Sequence, residues 1–216
     1  RCNTCFQLKE QMEKANCQVT RKRIQQNHLR HIALTRQERA EYAKAKQKAC
    51  SNPDKYMCII LDGMDQKKTR IPFFRRPPKV IASLPQLKTK LLCAMVHGFG
   101  NFFYWVTDQV SADTNLNIEA LRRVFLHYQE TRGSLPPGLY LQLDSARDNK
   151  SKLLFAFLSY LVQTGMFRKV KVSYLLVGHT HEADVDQIFS CISRYIRKNI
   201  ERILTYEEFE NAVKSV

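Results

Sequence analysis

The 216-residue chain has few of the residues that interrupt regular structure: seven glycines and seven prolines. So few breakers exclude a collagen-like or low-complexity chain, and 44% hydrophobic content fits one medium domain with a real core. Long apolar runs are missing too. "LLFAFLSYLV" falls well short of the roughly 20 residues that cross a bilayer, and no secretory leader is visible. The expectation is no membrane partner and a nuclear or other intracellular location. The cysteines are odd in number, seven, at positions 2, 5, 17, 50, 58, 93 and 191. That excludes a fully paired disulfide scaffold and suits free thiols in a reducing compartment. Acidic residues are scarce, 20 against 35 lysines and arginines, for a net charge of +15. Such an excess predicts a polyanionic partner, because each cation releases condensed counterions from phosphates. DNA is the expectation, RNA stays open, and a charge serving only solubility or contact with acidic lipids is the plain alternative.

Residues 1–54 read as a basic helical segment. "CNTC" sets Cys2 and Cys5 at a metal-knuckle spacing, and "HLRH" sets His28 and His31 three apart. Two thiolates and two imidazoles make a closed tetrahedral zinc shell, with Cys17 as a substitute ligand. The alternative is that Cys5 is an ordinary helix residue and the histidines are solvated. "TRQERAEYAKAKQKAC" predicts a helix that starts at Thr35, which forms a capping-box pattern with Glu38. Residues 1–50 carry twelve basic and four acidic side chains, a net of +8. "TRKRIQQNHLRH" suits either a phosphate backbone or a plain solvated helix face.

Residues 55–200 read as the core, and 201–216 as the start of a further helix in a chain that continues. The order is "YMCIILDGM" (strand), "KLLCAMVHGFGNFFYWVTDQV" (two strands joined by a tight turn), "NIEALRRVFLHYQETRG" (helix), "GLYLQLDSARDN" (strand), "SKLLFAFLSYLVQTG" (helix, apolar on most sides and so predicted buried), "RKVKVSYLLVGHTH" (strand) and a helix over 184–200. The prolines of "DQKKTRIPFFRRPPK" predict no regular structure there. This order implies an α/β fold, a ribonuclease-H-like mixed five-stranded sheet flanked by helices.

The acids fall at informative places. Asp62 ends the first strand and Asp144 the fourth, which are neighbours in such a sheet. The first turn of the last helix adds more carboxylates there. Carboxylates gathered this way hold Mg²⁺ or Mn²⁺, and two such ions about 4 Å apart activate a nucleophile and stabilise the leaving oxygen of a phosphodiester. A turn residue bonded to its own backbone is the ordinary role of a lone strand-end aspartate. In "HTHEADVD", Val185, Ile188, Phe189, Ile192 and Ile196 set the buried stripe. At about 100° per residue Asp184 lies roughly 80° from its centre and Asp186 roughly 120°. Asp184 is therefore the first choice of ligand and Asp186 the second, since an acid at a helix N-terminus also complements the dipole. His181 serves as general base or ligand, or is a structural histidine.

These features resemble the retroviral-integrase and transposase superfamily. His181 followed by Asp184 is similar to the last motif of RuvC-like resolvases. The Cys/His segment, "LQLDSARDNK" and "VGHTHEADVDQIFS" together resemble an uncharacterised family of transposon-associated eukaryotic proteins. The resemblance implies a transposase-like DNA nuclease or strand transferase, with Asp62, Asp144 and Asp184 as its metal-binding triad and a homo-oligomeric assembly. Two departures stand. The turn after Asp144 lacks the family's glycines, so Asp148 is a rival ligand, and one extra residue within "HEAD" keeps the choice between Asp184 and Asp186 open.

Two other readings compete. "GHTH" after a strand also resembles the last motif of calcineurin-like metallophosphoesterases, but their upstream histidine and aspartate motifs are missing. A transposase-derived module that binds nucleic acid without cutting it is the other. Expected phosphate contacts are Lys67, Lys68, Arg70, Arg75, Arg76 and Lys79 in the basic loop, and Arg147, Lys150 and Lys152 beyond Asp144. Phe73 and Phe74 either stack on unpaired bases or anchor that loop.

Overall fold

The computed structural model describes residues 2–79, 85–111, 113–175 and 184–216. In chain order the elements are α1 (Asn3–Lys14), α2 (Gln18–Ser51), β1 (Tyr56–Gly63), β2 (Phe73–Phe74), β3 (Lys90–Val96), β4 (Gly100–Val106), α3 (Thr114–Arg132), β5 (Gly138–Leu143), α4 (Lys152–Gln163), β6 (Lys169–Tyr174), α5 (Asp184–Asn199), β7 (Arg202–Ile203) and α6 (Tyr206–Lys214), with a 3-10 turn at Asp148–Lys150. Five strands form one mixed sheet in the order β4-β3-β1-β5-β6, the ribonuclease-H-like order expected from the sequence. β3 and β4 pair antiparallel from Lys90↔Val106 to Val96↔Gly100. β5 and β6 pair parallel from Gly138↔Lys169 to Leu143↔Tyr174, joined through α4 as a parallel pair requires. Met57 to Leu61 of the central β1 are all buried. A strand covered on both faces reads as an unbroken apolar run, which is how it was legible. No described helix is long and apolar enough to cross a membrane.

The chain divides into two compact units, Arg1–Ile59 with Leu135–Glu182, and Ile60–Ser134 with Ala183–Val216. In the first, α2 lays Ala45 and Ala49 on Cys58, with Tyr42, Tyr56 and Tyr140 around them. The predicted start at Thr35 is overturned. α2 runs unbroken through it, and the Thr35 hydroxyl donates to the His31 carbonyl one turn back (3.0 Å) instead of capping. α4 also departs from expectation. Leu154, Leu158 and Leu161 are buried, but Leu153, Phe155 and Tyr160 are 45–58% exposed, so only one face packs.

In the second unit the β3–β4 turn is made by Gly98 at φ 77°, and Gly133 at φ 84° ends α3, both in the region that glycine enters without strain. Asp113 caps the start of α3. β2 pairs with β7, Phe73 opposite Ile203 and Phe74 opposite Arg202, so the proline-rich loop holds a short strand that was not expected. Both phenylalanine residues are half-buried there, which favours the anchoring role.

This unit carries a testable pH dependence. Burial, and then the charge of Asp62, pushes the Cys93 thiol up to about 12, and burial chiefly pushes the Tyr104 phenol up to about 12. Both groups fold best neutral, so their contribution is complete below about pH 9 and is lost as pH climbs towards 12. For Cys93 it is roughly 4 kcal/mol at most. The urea midpoint is expected to stay level near neutrality and fall above about pH 9. Cys93→Ala is expected to be less stable at pH 7 but to show a flatter alkaline limb. A midpoint that climbs between pH 9 and 11 would contradict this.

Candidate metal centres and acidic site

α1 packs along α2 across the short link at residues 15–17. Half-buried Cys5, Leu8 and Met12 on α1 and Ile24, His28, His31 and buried Thr35 on α2 recur at helical spacing, one face each. The ligand atoms of Cys2, Cys5 and His31 all lie within 4.8 Å of one another, and Cys2 Sγ is 3.3 Å from His31 Nε2. His28, one turn earlier, is not among the three. Burial opposes ionisation of Cys2, but hydrogen bonds from the Cys5 and Thr4 backbone outweigh it and lower its pKa. Burial and neighbouring Cys2 push the Cys5 thiol up. Two sulfurs and one imidazole nitrogen within this radius fit the soft, tetrahedral preference of zinc. The cluster can hold a metal; Cys17 is exposed at the start of α2.

Asp144 follows the last residue of β5 and is half-buried. Its Oδ1 accepts from the Ala146 N–H (3.0 Å) and from the side-chain amide of buried Asn149. The Tyr174 hydroxyl in turn donates to the Asn149 carbonyl (2.9 Å), and Ser145 Oγ donates to the Leu175 carbonyl (2.7 Å). The turn after β5 is thus tied to β6 and fixes the Asp144 carboxylate, leaving Oδ2 without a protein donor among the described residues. Asn149 was given no role from sequence, although an Asn-containing turn after the strand-end aspartate is part of the family resemblance that "DSARDN" carries. Asp148 is exposed at the start of the 3-10 turn.

Asp62, half-buried near the end of β1, accepts from the N–H of Gly63 (2.7 Å). Asp184 opens α5, and its Oδ2 lies 3.6 Å from Nε2 of His97, whose side chain is 4% exposed. That is an ion-pair distance, too long for a good hydrogen bond. His97 joins β3 to the Gly98 turn, and a histidine inside the apolar "MVHGFG" was the signal overlooked. Asp186 is half-buried one residue after Val185. His181 lies outside the described residues.

Lys67, Lys68, Arg70, Arg76 and Lys79 are exposed, as are Arg147, Lys150 and Lys152. Lys150 sits over the Tyr174 ring, 5.2 Å from its centroid. Arg75 is engaged in structure instead. It pairs with Glu201 (2.8 Å) and donates to the Lys198 carbonyl (2.8 Å).

The strand order defines an α/β protein of the ribonuclease-H-like class, and its N-terminal helical hairpin carries a Cys/His cluster. The chain belongs to the family described as "Domain of unknown function (DUF7869)", which matches residues 79–216. No curated protein matches. Among solved structures, the chain is similar to "Mos1 transposase paired-end complex with left transposon end" at 11% identity, covering 98% of this chain and 70% of that one with a TM-score of 0.46. It is also similar to "Crystal structure of the Mos1 Strand Transfer Complex" at 9% identity, covering 98% and 69% with a TM-score of 0.44. Likenesses this distant carry no further weight for the site.

Proposed function

We propose that the chain is a transposase-like DNA nuclease or strand transferase that uses two Mg²⁺ or Mn²⁺ ions, with Asp62, Asp144 and Asp184 as ligands. One observation carries the reading. Asp62 and Asp144 stand at the ends of β1 and β5, adjacent in the sheet order, and Asp184 opens the helix that follows β6. Hard carboxylate oxygens are the donors such ions take, and the bound ions would activate the attacking oxygen and stabilise the leaving one. The chain's own groups do the positioning. Asn149 holds Asp144 with Oδ2 available, and His97 steadies Asp184. Asp186 is the substitute ligand, Asp148 is the rival to Asp144, and His181 is the candidate base. The exposed cations of the 67–79 loop and of 147–152 would hold phosphates, DNA before RNA, in a nuclear homo-oligomer. Zinc at Cys2, Cys5 and His31 would be structural.

A second reading draws on the His97–Asp184 pair, which also suits simple anchoring of α5. The chain is then a binding module that does not cut. Cleavage and strand transfer of labelled DNA, with Mg²⁺ or Mn²⁺ against EDTA, separate the two. Metal-dependent products, absent in Asp62→Asn and Asp144→Asn, support the enzyme. Salt-sensitive binding without products supports the module.

A further inference from the structure

The start of β5 and β6 carries a feature that the acidic site does not use. A cavity of about 490 Å³ opens there, lined by Lys55, Arg168, Lys169 and Lys171, by the rings of Tyr56 and Tyr140, and by no acidic residue. Lys171 is paired with Glu41 at 3.1 Å. Lys55, Arg168 and Lys169 are exposed and in no ion pair among the described residues. The frame beneath them is fixed: Gly138 N–H donates to the Lys55 carbonyl (3.1 Å), and the Arg168 and Lys169 N–H groups both donate to the Pro137 carbonyl (2.8 and 3.1 Å). The two tyrosine rings are half-buried, with centroids 5.9 Å apart and planes tilted by 47°. A Cβ on residue 138 would stand 2.8 Å from Tyr56 Cδ1, so glycine is what lets that ring lie there.

We propose that this groove is a second nucleic-acid contact, one that takes a single-stranded segment with a base against the tyrosine rings and its phosphates on Lys55, Arg168 and Lys169. Unpaired cations held together repel one another unless a polyanion neutralises them, and cations interleaved with aromatic rings are how single strands are gripped without sequence preference. The rings are half-buried behind a cationic rim, which suits a base lying against them better than insertion into a bilayer. Lys171 and Tyr140 also line a neighbouring cavity of about 410 Å³ that reaches Ser145 and Lys150, next to Asp144. Glu38 and Glu41 are the acids on that path, and Glu41 is already paired with Lys44 and Lys171. From Gly138 to Leu143 is about 17 Å of strand, so a few nucleotides would connect the groove to the Asp144 turn. The proposal rests on the nucleic-acid reading above and adds a surface to it.

The test is anisotropy of a labelled single-stranded oligonucleotide with the full chain, titrated across KCl concentrations. The triple variant Lys55→Gln/Arg168→Gln/Lys169→Gln is expected to bind at least about tenfold more weakly near 0.1 M salt, with the slope of log K against log salt smaller by about two. Lys55→Arg/Lys169→Arg is expected to bind like the unaltered chain. Matching thermal melts guard against misfolding, since all three substituted side chains are exposed. Unchanged affinity and slope in the triple variant, with weaker binding in Lys67→Gln/Lys68→Gln, overturn the groove and leave the nucleic-acid reading standing. An unaltered chain that ignores oligonucleotides, or that binds only vesicles of anionic lipid, overturns both.

Discussion

Asp62→Asn and Asp144→Asn are each expected to lower metal-dependent DNA cleavage by about a thousandfold or more, with DNA affinity unchanged or slightly raised. The size follows from charge. A pair of divalent ions supplies several kcal/mol of transition-state stabilisation, and about 1.4 kcal/mol is worth a factor of ten in rate. An amide keeps the shape of the carboxylate but not the charge that would hold those ions. The fold should tolerate the exchange at position 144, because Asp144 Oδ1 serves the turn only as an acceptor from Ala146 and Asn149, and an amide oxygen fills that role too. Affinity should hold or rise because each variant removes a negative charge from the face proposed to meet phosphates. The same assay decides between the two acids of α5. Asp184→Asn is expected to match the loss in Asp62→Asn, whereas Asp186→Asn is expected to keep activity within about tenfold, as for an acid that only complements the helix dipole. His97→Gln should act through Asp184, so higher metal concentration should recover part of its activity. Full activity in Asp62→Asn or Asp144→Asn sinks the triad.

The framework was legible because its signals are local or strictly periodic. β1, β3, β4 and β5 are short apolar runs bounded by turn residues, and α3 and α5 carry apolar stripes closed by Gly133 or opened by acids. The start of α2 was not legible. A capping-box pattern at Thr35 satisfies the same residue preferences in mid-helix, and with no glycine or proline between Gln18 and Ser51 nothing stops the helix earlier. The burial of α4 was overestimated because composition reports how apolar a helix is, not how many of its faces have neighbours. In the candidate site, the strand-end aspartates could be read from position alone. Their supports could not. His97 is 87 residues from Asp184, and Tyr174 is 25 from Asn149, so both contacts exist only through the fold.

With zinc at the Cys/His cluster as proposed, stripping it is expected to release α1 while the sheet stays folded. α1 has 12 residues and buries none of them within the helix, and helices of about 12–15 residues are marginal alone in water. Besides the Cys2–His31 contact, Arg21 Nε donates to the Met12 carbonyl (3.3 Å); Cys5, Leu8 and Met12 are only half-buried and Phe6 is 62% exposed, so little apolar area opposes the entropy of ordering α1. Against that, a structural zinc site contributes on the order of 10 kcal/mol of coupled binding and folding. Chelation should therefore lower far-UV helicity by about the share of α1 and expose residues 15–17 to protease, while the region from β1 onward resists. Native mass spectrometry should find one zinc per chain, lost in Cys5→Ser and His31→Ala. His28→Ala should keep it, since His28 is not among the three clustered ligands. A chelated chain that keeps its helicity and its resistance at 15–17 would mean that packing alone holds the hairpin, and zinc retained in Cys5→Ser would remove that residue from the ligand set.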